Sequence, residues 1–132
     1  MQKIFVDTGG WYAAIARRDC DHESAKQFLA SNHLPLLTSD YVLDETVTLL
    51  QSRLGHSYAV KFLDALQASE RIELVHICAK HLAETISLFR SRPDKGWSFT
   101  DCSSFVLMRE HGIQCAFAFD DHFRQAGFQL RP

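Results

Sequence analysis

The chain has 132 residues, 46% of them hydrophobic and 23% charged, with a formal net charge of −2. That length suits one folded domain, read as residues 1–132, with room for a real core but not for two. The near-neutral charge excludes a broad basic field for nucleic acid, and no apolar run approaches the ~20 residues that span a bilayer.

Met1-Gln2-Lys3-Ile4-Phe5-Val6 has neither the long apolar stretch nor the small-residue cleavage site of a secretory signal, so a cytoplasmic location is expected. Lys3–Val6 reads as a strand and Gly10–Arg18 as a helix, with Arg17 and Arg18 as favourable charges at its C-terminus. A second helix is predicted over Asp21–Ala30, with Asp21 as its N-cap. Pro35–Thr38 is a short strand, and Asp40–Leu54 a helix that Gly55 ends. His56–Ala68 follows as a helix, Ile72–Ile77 as a strand and Ala79–Arg92 as a helix. Arg92-Pro93-Asp94-Lys95-Gly96 is the clearest loop. Ser98 opens a helix that runs to His111 and stops at Gly112. Gln114–Phe119 is a strand, Asp121–Ala126 a helical turn and Phe128–Leu130 an edge strand. Strands separated by helical crossovers predict a three-layer α/β/α fold around a central, mostly parallel sheet. Ligands of such sheets bind just beyond the carboxyl ends of the strands.

Carboxylates stand at those ends. Asp7 follows Ile4-Phe5-Val6, and Asp120 follows Ala116-Phe117-Ala118-Phe119. Asp is also common in turns and at helix starts, and Thr8 or Asp121 would serve as caps there. On a helical wheel Glu45 shares its side with Val42, Thr46 and Leu49, at the flank of an apolar face of Leu43, Val47, Leu50 and Leu54. Asp44 points to solvent. A carboxylate half inside a core needs a cation, a hydrogen-bond donor or a metal. Asp101 shares a face with Phe105 and Met108. It also stands three residues after Ser98, as in a capping box, so capping alone is a sufficient local reason for it. Four acids converging on one sheet edge would repel unless one were protonated or a cation joined them. All-oxygen ligation points to Mg²⁺, or Mn²⁺, rather than zinc. No His-Glu-x-x-His and no Cys/His zinc spacing occurs, and Cys20, Cys78, Cys102 and Cys115 read as reduced, mostly buried thiols.

Four segments carry a resemblance: Phe5-Val6-Asp7-Thr8-Gly9-Gly10-Trp11, Ser39-Asp40-Tyr41-Val42-Leu43-Asp44-Glu45-Thr46, Ser98-Phe99-Thr100-Asp101-Cys102 and Phe119-Asp120-Asp121-His122-Phe123. Together, and in this order, they resemble the signature segments of PIN domains over essentially the whole chain. The likeness is closest to VapC-type proteins, the toxin halves of type II toxin–antitoxin pairs. It implies a Mg²⁺-dependent endoribonuclease, usually a homodimer, silenced by a cognate antitoxin. It places the family's four acids on Asp7, Glu45, Asp101 and Asp120, as both catalytic and metal-binding residues, with Asp121 a lesser alternate for the last. In the mechanism it implies, a metal-activated water attacks an RNA phosphodiester in line and leaves a 5′-phosphate and a 3′-hydroxyl.

Thr8, Ser98 and Lys95 are the candidates for contacting RNA, with Thr8 and Ser98 also supporting the site through their hydroxyls. Arg90, Arg92, Trp97 and Phe99 flank the approach to Asp101, although the two aromatics read more simply as core and the arginines as solvated. The apolar residues of Asp40–Leu54 and His56–Ala68 suit a dimer interface or ordinary packing equally. Three other readings compete. A non-catalytic RNA- or partner-binding module would share the fold. A Mg²⁺-binding phosphoacceptor domain would need an acidic pair after its first strand and a late Lys, and a haloacid-dehalogenase phosphatase would need Asp-x-Asp. Ser103-Ser104 lacks a Gly-x-Ser-x-Gly elbow, which argues against acyl-enzyme chemistry.

Overall fold

Short runs, buried in the central strands and partly exposed at the two edges, make the sheet. The computed structural model describes residues 2–132. Strands β1 (Ile4–Val6), β2 (Leu36–Ser39), β3 (Ile72–Val75), β4 (Cys115–Phe117) and β5 (Gln129–Arg131) alternate with helices along the chain. The helices are α1 (Thr8–Ile15), α2 (His22–Ser31), α3 (Asp40–Leu54), α4 (His56–Ala68), α5 (Ala79–Ser91), α6 (Phe99–Glu110) and α7 (His122–Gln125). Every strand pairing is parallel, in the order β3-β2-β1-β4-β5. The sheet is thus more uniform than the mostly parallel one expected. β1 and β2 are buried throughout, and β1 reads as a continuous apolar run, whereas β2 closes with the buried polar pair Thr38 and Ser39.

The order reverses at β1. The chain steps outward from β1 through β2 to β3, then returns to the other side of β1 for β4 and β5. The carboxyl ends of β1 and β4 therefore form the switch point where doubly wound sheets hold ligands. α1 packs on α2 and α3, and α3 on α4, whereas α6 packs on α5 and α7. These are the outer layers of a three-layer α/β/α fold, and α3 and α6 also touch each other. α6 is buried without a break from Asp101 to Met108. Phe105 lies at its centre, edge-on to Trp97 and Phe123 at ring separations of 5.0 Å each.

Several element ends move relative to expectation, each for a local reason. α1 begins at Thr8, two residues early, because the Asp7 carbonyl accepts from the amides of Gly10 and Trp11. Its first turn lies so close to β4 that a Cβ on Gly10 would stand 2.5 Å from the Phe117 carbonyl oxygen. α1 also ends early, at Ile15, where Ala16 turns extended. Arg17 and Arg18 consequently lie beyond the helix rather than in its last turn. Asp21 occupies the N-cap position of α2 but makes no capping bond with its side chain, and its own amide donates to Asp19. β3 ends at Val75, and just beyond it the Ile77 amide donates to the Asp40 carboxylate instead of to a strand. The thiols are less buried than expected. Only Cys102 is fully inside, Cys115 is half-buried, and Cys20 and Cys78 are exposed, all of them free. Among the described residues no helix is long and apolar enough to cross a membrane.

Candidate metal centre

Beyond the carboxyl ends of β1 and β4 opens a cleft of about 670 Å³, and all four expected acids line it: Asp7, Glu45, Asp101 and Asp120. Each arrives by a different route. Asp7 follows β1 directly and is 3% exposed, because α1 turns away immediately behind it. Glu45 comes from the second turn of α3, half-buried beside fully buried Val42 and Thr46. That helix is set by Ser39, whose hydroxyl accepts from the Val42 amide at 3.1 Å. Asp101 comes from the first turn of α6 and Asp120 from the bend after β4.

Asp101 completes the capping box read from sequence. Ser98 Oγ accepts from the Asp101 amide at 2.9 Å, and Asp101 Oδ2 accepts from the Ser98 amide at 3.0 Å. Ser98 Oγ is thus engaged in the cap while the residue lines the cleft. Thr8 also lines it, with a buried hydroxyl that has no partner among the described residues. Lys95 is half-buried and is not among the residues lining the cleft. Of the flanking groups, Trp97 is core, with its indole N–H on Gln125 Oε1 at 3.1 Å. Arg92 lies 5.3 Å from the Trp97 ring and pairs with Asp94, so it is already engaged. Phe99 is half-buried, within 5.8 Å of Phe89 and 6.4 Å of Tyr41, and so belongs only partly to the core.

The electrostatics of the cleft are those of crowded anions. Burial pushes the Asp7 carboxyl well above the usual carboxylate range, and Asp120, Asp101 and Glu45 push it further. The Thr8 amide opposes them. Asp120 is raised as well, chiefly by loss of solvent and then by Asp101, against the His122 amide that donates to it. Among the described residues Asp7 Oδ1 is buried with no hydrogen-bond partner. An unpartnered carboxylate oxygen facing three more carboxylates is a poor arrangement for a folded protein unless a cation joins it. Oxygen donors of this kind suit a hard divalent ion. The residues present therefore fit a divalent metal.

One member of the group was not singled out from sequence as a site residue. His122 lines the cleft, with Nδ1 2.9 Å from Asp101 Oδ2 and 3.9 Å from Asp120 Oδ1. One donor atom from each of Asp101, Asp120 and His122 lies within 4.8 Å of the others. The available signal was its position two residues after Asp120, inside a segment already marked as a signature.

Comparison with known proteins agrees with this architecture. The chain is 39% identical over 130 residues to the 23S rRNA-specific endonuclease VapC20 of Mycobacterium tuberculosis, covering 98% of both proteins. The crystal structure of the M. tuberculosis VapC20 toxin, described as cleaving the sarcin–ricin loop, superposes with a TM-score of 0.92 at 38% identity. That match covers 98% of this chain and 99% of the toxin. VapBC2 of Rickettsia felis, solved on a promoter DNA fragment, shares the fold at a TM-score of 0.70 and 16% identity, over 98% of each chain. The PIN domain family matches residues 4–129, so a central parallel sheet with four acids at its switch point has its explanation: the chain belongs to the PIN-domain family.

Proposed function

We propose that this protein is a metal-dependent endoribonuclease acting as a single domain, the toxin component of a type II toxin–antitoxin pair, with ribosomal RNA of the large subunit as its substrate. The observation that carries the reading is Asp7, a buried carboxylate with an unpartnered oxygen, surrounded by Asp101, Asp120 and Glu45. Such a group is suited to a cation and costly without one. The substrate and the pairing are supported by the full-length similarity to VapC20. A cytoplasmic site of action follows from such a substrate.

In this reading Asp7 and Asp101 are the main holders of a divalent ion, with Mg²⁺ or Mn²⁺ favoured by the oxygen donors. Glu45 and Asp120 complete the site or orient water. The ion, when bound, supplies Lewis acidity and lowers the pKa of a water molecule. The chain itself contributes placement. Ser98 fixes Asp101 through reciprocal amide bonds, and Thr8 offers a hydroxyl at the cleft wall. Lys95, in the loop entering α6, is the cationic contact on the approach rather than within the cleft. Homodimerisation, expected from the resemblance, is supported by an exposed apolar row on α5: Leu82, Ile86 and Phe89, spaced one turn apart. Of the two helices suggested from sequence, which pack on one another, α4 also exposes Tyr58 and Val60.

The test is to incubate the purified protein with ribosomes and with total RNA, with and without Mg²⁺ or Mn²⁺, alongside Asp7→Asn. Metal-dependent fragments ending in 5′-phosphates, absent with the variant, are expected. A folded protein that binds metal and cuts neither substrate would refute the ribosomal assignment. Failure to bind metal would refute the carboxylate centre.

A further inference from the structure

We infer that His122 is a direct ligand of the metal ion, and that this nitrogen donor biases the centre toward Mn²⁺ over Mg²⁺. The inference rests on the carboxylate cleft being the cation site. It adds a fifth side chain of different chemistry, which changes the ion the cleft prefers.

The ring is placed by the core. Phe123, the next residue, is fully buried, 5.0 Å from Phe105 and 6.4 Å from Phe5 between ring centroids. The His122 amide is tied to Asp120 Oδ1 at 3.0 Å. Backbone and neighbour together present the imidazole to the cleft, with its side chain 34% exposed. Its Nδ1 lies 2.9 Å from Asp101 Oδ2. Two donors bound at right angles to one ion, each at ~2.1 Å, stand ~3 Å apart, so this pair already has the spacing of neighbouring ligands. The two atoms that are hydrogen-bonded to each other here have the spacing to share a cation instead. Asp7 supplies the independent sign that a cation belongs there, since its Oδ1 is buried, unpartnered and on the same cleft.

Imidazole is a good donor to transition-metal ions and a poor one to Mg²⁺, which favours carboxylate and water. A centre built only of carboxylates discriminates weakly between Mg²⁺ and Mn²⁺. One that includes His122 binds Mn²⁺ more tightly, while Mg²⁺ gains nothing from the ring. His122 would otherwise be an orienting partner, its Nδ1–H merely holding Asp101 in place, and in that role it would support both ions equally.

The experiment uses the full chain loaded with Mn²⁺ and reads pulsed electron spin resonance rather than turnover. Modulation from a directly bound imidazole nitrogen is expected in the wild type, altered when the protein is grown with nitrogen-isotope-labelled histidine, and lost in His122→Asn. Calorimetric titration should show Mn²⁺ affinity falling by about tenfold or more in that variant, with Mg²⁺ affinity changed far less. Bound Mn²⁺ without nitrogen modulation in the wild type overturns the inference and leaves the carboxylate centre standing. Equal loss of both ions in the variant, on the order of 10- to 100-fold, also overturns it and assigns His122 the orienting role. A folded wild type that binds no Mn²⁺ overturns the centre and this inference together. The wild-type spectra decide the matter even if the variant does not fold.

Discussion

Replacing Asp7 by Asn should make the metal-free protein more stable while abolishing its chemistry. Asp7 is 3% exposed and has an unpartnered oxygen, and three other carboxylates raise its proton affinity. The scale of the repulsion can be taken from Asp101 and Asp120, whose donor atoms lie within 4.8 Å of each other. At that separation two unit charges repel by about 3.5 kcal/mol at an effective dielectric near 20, and by about 1 kcal/mol in water. Asp7 is the most buried of the group, so relief of about 1–3 kcal/mol is expected at about pH 8, or roughly 4–10 °C in Tm. Asn keeps the shape and the acceptor oxygen, and no side-chain cap is lost because Asp7 makes none. The sign with pH follows from the raised proton affinity. The stability Asp7 contributes is fully present below its ordinary value of 3.8 and is lost as pH rises through the higher folded value. The advantage of the variant should therefore narrow as the pH is lowered to about 5. Saturating Mg²⁺ or Mn²⁺ should reverse the order, since a ligand at 100 times its Kd adds about 2.7 kcal/mol to the protein that binds it. Thermal melts in chelator and in metal, at both pH values, make the assay. An Asp7→Asn protein less stable than wild type in chelator at the higher pH would refute the reasoning.

Three further outcomes follow from other contacts. Gly10→Ala puts a Cβ 2.5 Å from the Phe117 carbonyl, so it should cost about 1–3 kcal/mol in denaturant melts and disturb Asp7 with it. Gly9→Ala, whose Cβ would meet only Asp7 Oδ2 at 3.7 Å, is the control, and equal stability of the two variants would count against the close approach. Asp101→Asn retains an acceptor for the Ser98 amide and should melt within about 1 kcal/mol of wild type while losing cleavage at least ~100-fold, whereas Asp101→Ala should also lose the cap, worth about 0.5–2 kcal/mol. The His81 hydrogen bond holds Glu110 below the usual carboxylate range and links the start of α5 to the end of α6. That contribution is present above the ordinary value of 4.5 and disappears as pH falls through the lowered one, so the Tm gap between wild type and Glu110→Gln should close in acid, and a gap constant with pH would contradict it.

What could be read from sequence divides by the range of the forces involved. The strand positions agree to within one or two residues, most plainly for the central β1 and β4, whose apolar runs are the pattern a buried parallel sheet leaves. The flank position of Glu45 came from helical periodicity, and the structure has it half-buried at the cleft. Helix ends were less legible. α1 starts at Thr8 because the backbone carbonyl of Asp7, not any side chain, accepts its first bonds. His122 stands inside a signature segment, but its role is not local, since only the folding of α6 against α7 brings its ring to Asp101. Lys95 was included by proximity in sequence, which does not say on which side of a loop a chain turns.

Asp101 shows why capping and metal binding were poorly posed as alternatives. A carboxylate has two oxygens. Oδ2 takes the Ser98 amide and the His122 ring, while no protein hydrogen bond is made to Oδ1 among the described residues. The cap amide takes one lone pair of Oδ2 and leaves its other one, and both of Oδ1, so the cap does not exclude the cleft. It fixes the rotamer that keeps Asp101 at the cleft wall, and the N-terminus of α6 favours the charge it must carry there. Asp7 follows the same logic by a different means, its backbone starting α1 while its side chain is left free of that task. In Asp7 the group that starts the helix and the group that faces the cleft are separate atoms, whereas in Asp101 the oxygen that accepts the cap amide also lies beside His122 in the cleft. A site assembled from helix starts at a sheet's switch point can thus be rigid before any ion arrives, which is what positioning a phosphodiester for in-line attack requires.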